Sequence, residues 1–158
     1  MKEIVYLVGQ ISKEEYLTYQ WRKNIVDAFK ENNLIQIIDP CSNTFNQAIL
    51  KDDERDSKRL KVYQYNGIEL LVPKDFSYVK HSTICVANLI HYDKKKMIIG
   101  SFFELSAYYL SPEKSVIGIL DKDPGKDMIC NHPFVKATVD VWVKSEQEAI
   151  DLIKYYYC

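Results

Sequence analysis

Ile4 to Val8 is a continuous apolar run, rich in β-branched residues and closed by Gly9. A run without polar alternation fits a strand buried on both faces of a parallel sheet. Ser12 and Glu15 have capping-box spacing, and Trp21, Ile25, Ala28 and Phe29 follow at helical intervals, so a first helix is expected from roughly Lys13 to Glu31. Leu34 to Ile38 reads as a second buried strand, stopped by Asp39-Pro40 because proline cannot donate to a ladder and restricts the residue before it. Strand composition around Asn66-Gly67 predicts a hairpin insertion near residues 60–72. Asp75 to His81 then fits a short helix and Thr83 to Leu89 a buried strand. Gly100 to Leu110 has helical periodicity, and Ser115 to Leu120 is the next strand, after Pro112. Thr138 to Val143 reads as the last strand; Ser145 with Glu148 caps a closing helix that runs to about Tyr156.

Strands alternating with helices predict an α/β three-layer sandwich, with a mostly parallel, flavodoxin/Rossmann-like sheet of about five strands. Ligands of such sheets bind beyond the carboxyl ends of the strands. The chain has 158 residues, 47% of them apolar and 27% charged, which suits one domain spanning 1–158 with a full core and no staples. Residues 51–59 hold four charges of each sign among nine positions, so they are expected to stay solvated. The net charge is −1, and nothing in it favours nucleic acid or an anionic membrane as partner. The amino-terminal apolar run is too short for a signal peptide or a span, so a cytoplasmic location is expected.

The four cysteines, Cys41, Cys85, Cys130 and Cys158, lack the paired spacing of zinc sites or redox dithiols and are read as free thiols. His81, His91 and His132 are irregularly spaced, and no metal or other cofactor is expected. A phosphate-loop motif and a dinucleotide glycine fingerprint are both missing. The loops leaving the strands offer Gly9, Gln10, Asp39, Asn88, Gly100 and Ser101 as substrate-binding candidates. Two carboxylates remain as candidates for chemistry: Glu104, after Gly100-Ser101, and Asp75, at the start of the preceding helix. A carboxylate pair suits glycosyl transfer, in which one attacks an anomeric carbon while the other protonates the leaving group. Ser101-x-x-Glu104 is equally a capping box, a device this sequence uses elsewhere, so spacing alone favours a cap.

The chain resembles the nucleoside 2-deoxyribosyltransferase family and its deoxynucleotide N-glycosidase relatives. The resemblance runs in order through Val5-Tyr6-Leu7-Val8-Gly9-Gln10-Ile11, Trp21-Arg22, Asp39-Pro40, Val72-Pro73-Lys74-Asp75, Ile84-Cys85-Val86-Ala87-Asn88 and Gly100-Ser101-Phe102-Phe103-Glu104-Leu105. It implies that Glu104 is a nucleophile toward C1′, that Tyr6 orients its carboxylate, and that Asp75 contacts and protonates the base. On that reading Tyr6 and the positive end of the helix hold the Glu104 pKa down. The activity implied is base exchange through a glycosyl-glutamate, with a nucleoside or nucleotide and a free nucleobase as substrates, in nucleotide salvage. The resemblance also implies a homo-oligomer. Three positions depart from the family pattern: Ile98 replaces a polar residue, Gln10 a proline, and Thr83 a frequent aspartate. Lys94-Lys95-Lys96 next to Ile98 suggests an alternative, hydrolysis of a deoxynucleoside monophosphate. A third reading is a nucleoside- or nucleotide-binding module without catalysis.

Overall fold

In the computed structural model, which describes residues 2–11, 15–43, 68–92 and 98–158, five parallel strands form a single sheet. The strands are β1 (Glu3–Gly9), β2 (Ile35–Ile38), β3 (Ile84–Asn88), β4 (Ser115–Ile119) and β5 (Val141–Val143), ordered β2-β1-β3-β4-β5. Helix α1 (Glu15–Phe29) follows β1, α2 (Leu71–His81) precedes β3, and α3 (Ile99–Tyr109) follows it. The short α4 (Pro133–Thr138) and the closing α5 (Glu146–Tyr157) flank β5. The chain moves outward from β1 to β2, then returns to lay β3 on the other side of β1. That reversal is the crevice where sheets of this order take ligands.

Strand alternation builds two cores. Val5 and Leu7 of β1, with Ile84 and Val86 of β3, face α1 and α5, where Trp21, Ile25, Phe29, Ala149, Ile150 and Ile153 cover them. Tyr6, Val8, Cys85 and Ala87 face the other way, onto Val79 of α2, Leu105 and Tyr108 of α3, and Val135 of α4. Most of these side chains are withdrawn from solvent, each large apolar one contributing about 1.5–3 kcal/mol of burial. Register aligns Tyr6 with Ile38 and with Cys85, and Gly9 with Asn88, so the carboxyl ends of β1 and β3 finish together.

The five-strand α/β sandwich expected from the pattern is the one observed, but three local expectations change. Ile68–Leu70 is a 3₁₀ turn running into α2, so the described end of the expected 60–72 hairpin is helical; Asn66-Gly67 lies outside the described residues. A short apolar run cannot distinguish strand from helix, and Pro73 fits the first helical turn, where its missing N–H has no partner to lose. Because α2 starts at Leu71, Asp75 sits in its second turn rather than at its start. Finally, residues 138–140 are not strand. Thr138 ends α4, its hydroxyl donating to the Phe134 carbonyl at 2.8 Å, and six residues opened by Pro133 are too few for a helical period to show. The cap at Ser145 forms, its hydroxyl accepting from the Glu148 N–H at 3.3 Å. Ser12 and residues 51–59 lie outside the described residues, as do Lys94 to Lys96.

Candidate active site

Tyr6 sits mid-strand in β1 with its ring fully buried, and Glu104 lies in the second turn of α3, which packs on that face. The Tyr6 hydroxyl donates to Glu104 Oε1 at 2.6 Å, joining residues 98 positions apart. This settles the capping question: Ile98 is the N-cap, Ser101 lies inside the helix and is buried, and no side chain caps the amino end. Glu104 instead points at the strand.

Burial pushes the Glu104 carboxyl up to about 7; the Tyr6 hydrogen bond opposes this, the Asp75 carboxylate adds to it, and Arg22 opposes it. The expectation of a depressed Glu104 pKa is therefore overturned. Desolvation outweighs one hydrogen bond, and helix-end stabilisation fades beyond the first turn. The Tyr6 phenol is raised far above its ordinary value, first by burial and then by Glu104, so it remains a hydrogen-bond donor at any working pH.

Asp75 approaches from α2. Burial raises its pKa against the pull of Lys74, whose Nζ lies 3.3 Å from Asp75 Oδ1. That contact has ion-pair distance without hydrogen-bond alignment, and Oδ1 is otherwise unpartnered. Glu104 and Asp75 thus meet electrostatically across the α2–α3 face, both biased toward the protonated form.

On the α1 face, Arg22 is 1% exposed, and its fork of donors reaches three places. Nη1 donates to the Thr18 carbonyl, Nη2 donates to the Gly9 carbonyl at 2.9 Å, and Nε lies 3.4 Å from Asp39 Oδ1. Asp39 Oδ1 also accepts from the Cys41 N–H at 2.9 Å. The guanidinium lies 4.4 Å from the centre of the Trp21 ring. Sequence reasoning placed Trp21-Arg22 in a motif but gave Arg22 no role. A single arginine beside an apolar helical stripe, with an aspartate ending the next strand, was the available signal.

The remaining candidates divide. Asn88 is buried and stabilises its own loop, accepting from the Ile90 N–H at 3.1 Å and donating to the Tyr92 hydroxyl at 3.3 Å. Gln10, the residue after β1, is buried. Gly9 is required by packing, since a Cβ there would fall 2.9 Å from Trp21 Cζ2 and 3.2 Å from the Asn88 carbonyl oxygen. At Gly100 a Cβ would meet nothing within 4 Å, so that position is open. Cys41 is a buried thiol within electrostatic reach of Asp75 and Glu104, pushed up to about 11 mainly by burial. An apolar cavity of about 530 Å³ lies between α3 and residues 128–138, but Tyr6, Asp75 and Glu104 are not among its walls.

Among the described residues no cluster of three or more His, Cys, Asp or Glu side chains could hold a metal ion, and no helix is long and apolar enough to cross a membrane. No protein-family model matches the chain, and no curated protein matches it by sequence. Solved structures do. A conserved protein from Enterococcus faecalis V583 superposes with a TM-score of 0.62 at 14% identity, covering 98% of this chain and 99% of that one. The 2-deoxyribosyltransferase of the psychrotolerant bacterium Bacillus psychrosaccharolyticus, a biocatalyst for nucleoside synthesis, superposes with a TM-score of 0.58 at 15% identity, covering 94% and 90%. Over nearly the whole length of each chain, this protein therefore shares the fold of a 2-deoxyribosyltransferase.

Proposed function

We propose that the protein transfers a deoxyribosyl group between nucleobases, with Glu104 as nucleophile and Asp75 as acid and base. The observation that carries this reading is the 2.6 Å contact from Tyr6 to Glu104 Oε1, on the face where Asp75 also lies, in a fold shared with a 2-deoxyribosyltransferase.

In the first step the Glu104 carboxylate forms a bond to C1′ as the C1′–N bond breaks, and the departing base takes a proton from Asp75. A nucleobase leaves poorly as an anion, so that proton lowers the barrier. In the second step an incoming base attacks C1′, releases Glu104 and returns a proton to Asp75. The covalent ester divides one difficult displacement into two. Tyr6, never ionised, holds one carboxylate oxygen and leaves the other to attack. Gly100, at the start of α3 and one turn before Glu104, is open to solvent.

Protonation sets the pH range. Glu104 must be ionised, so activity of the free enzyme rises as pH passes through about 7. Asp75 must hold a proton to act as acid, and burial favours that protonated form against the pull of Lys74.

Incubation with deoxyinosine or thymidine, with and without adenine, and separately with deoxynucleoside monophosphates, tests the proposal. Appearance of deoxyadenosine only when adenine is present is the expected result. Release of sugar phosphate from the monophosphates without exchange would replace it with the hydrolytic reading. Saturable binding without turnover would replace it with a binding module.

A further inference from the structure

Arg22 is a fully buried cation that the proposed chemistry does not use. It sits at the carboxyl edge of the sheet because α1 passes over the end of β1, and its contacts cross element boundaries. One donor holds the last carbonyl of β1, at Gly9, and another side of the fork faces Asp39, the first residue after β2. Trp21 packs against both Gly9 and the guanidinium. The cation is thus held on three sides by backbone and ring, with one carboxylate.

We propose that Arg22 is a positioning residue for the glycosyl-transfer chemistry, fixing the turns that leave β1 and β2 and keeping a permanent cation at the switch point. The inference rests on the proposed role of Glu104 and adds a buried cation that opposes, in part, the burial acting on that carboxyl. Glu104 is faced by Tyr6 from β1, Cys41 after β2, Asp75 from α2, Cys85 from β3 and Tyr108 on α3, with Arg22 acting from α1. Among these, the thiols and phenols are all held protonated by burial and Asp75 adds negative charge when ionised. Arg22 is the cation that favours the Glu104 carboxylate. Asp39 then serves as counter-ion to Arg22 rather than as a direct substrate contact: its Oδ1 faces both the guanidinium and the Cys41 N–H.

Guanidinium and ammonium differ in a way that separates the two parts of this role. A lysine at 22 restores the charge, but a single ammonium cannot span Thr18, Gly9 and Asp39 as a planar fork does. The test follows the Glu104 carboxyl by ¹³C NMR in glutamate-labelled protein, assigned by loss of its signal in Glu104→Gln, beside kcat and KM for base exchange. Arg22→Gln is expected to raise the Glu104 titration point by about half a pH unit or more and to lower kcat about tenfold with little change in KM. Arg22→Lys is expected to return the titration point toward the parent and kcat only partway.

Asp39→Asn keeps the cation and removes its counter-charge, so it is expected to move the titration point down; it also serves if Arg22→Gln does not fold. Unchanged Glu104 titration in both Arg22→Gln and Asp39→Asn, with only lowered melting temperatures, overturns the inference. So does an equal titration point for Arg22→Lys and Arg22→Gln. The carboxyl signal is read without turnover, so a parent protein that catalyses no exchange defeats the proposed function separately.

Discussion

Two buried polar clusters flank the carboxyl half of β1, one on each face of the sheet, and they are built on opposite electrostatic rules. On the α1 face Arg22 and Asp39 pair opposite charges, with backbone carbonyls and an N–H taking up the rest. On the α2–α3 face Glu104 and Asp75 bring like charges together, with a phenol and one half-buried lysine as relief. In the first, burial raises the Asp39 pKa, and the Arg22 cation and the Cys41 N–H oppose that rise. The second cannot ionise both carboxylates cheaply, so it stores a proton near neutrality. Strained titration beside a crevice is what proton transfer and nucleophilic attack require, and structural ion pairs do not need it. The contrast teaches which of two similarly buried clusters is braced and which is poised.

The largest effect expected is at Glu104. Glu104→Gln keeps an oxygen for the Tyr6 hydroxyl but loses the nucleophile, and base exchange should fall by about a thousandfold or more while the protein stays folded. Near-parental exchange would make the poised cluster merely structural.

Asp75→Asn should come next, with a loss of about a hundredfold for ordinary bases, and less for a nucleoside with an activated leaving group. An equal loss for both would mean that Asp75 binds without donating. Removing the like charge should also lower the Glu104 titration point, opposite in sign to the Arg22→Gln effect.

Tyr6→Phe removes one hydrogen bond to a carboxylate, a contact of roughly 1.5–3 kcal/mol, so turnover should fall about ten- to a hundredfold. The acid limb of the pH profile should move up, because that bond lowers the Glu104 pKa. An unmoved limb would reduce Tyr6 to packing.

The last effect is on stability rather than on turnover. Glu104 is an acid whose folded pKa, about 7, exceeds its unfolded one, so the native state binds more protons and stability falls as pH rises between the two values. Once the pH has passed through about 7 the loss is complete, on the order of 3–4 kcal/mol. Glu104→Gln carries no such cost. Its melting temperature should match the parent near pH 4 and exceed it increasingly up to about pH 7, then by a constant margin. A margin independent of pH would mean that Glu104 is not desolvated.

Much of the sheet was legible because buried parallel strands are written as mainly apolar runs: Ile4 to Val8 and Thr83 to Leu89 mark β1 and β3 to within a residue or so. Elements whose identity depends on context were not. Ile68 to Val72 carries strand composition yet feeds α2, and Pro133 to Thr138 is too short to display a period. At the site, the resemblance named Tyr6, Asp75 and Glu104, while spacing alone pointed Glu104 toward a cap. The cap fails because α3 begins at Ile99, two residues before Ser101, which no local pattern announces. The sign of the Glu104 shift was illegible for a related reason. A carboxylate's desolvation depends on what packs over it from β1, β3 and α2, none of which is its neighbour in sequence.

The most direct measurement is mass spectrometric mapping after incubation with a 2-fluoro sugar nucleoside, which slows breakdown of a glycosyl ester. The expected result is one sugar adduct per parent chain, on Glu104, with the base released in equal amount and no adduct on Glu104→Gln. Base exchange by the parent with no adduct on Glu104, or an adduct that persists in Glu104→Gln, contradicts the assignment of the nucleophile.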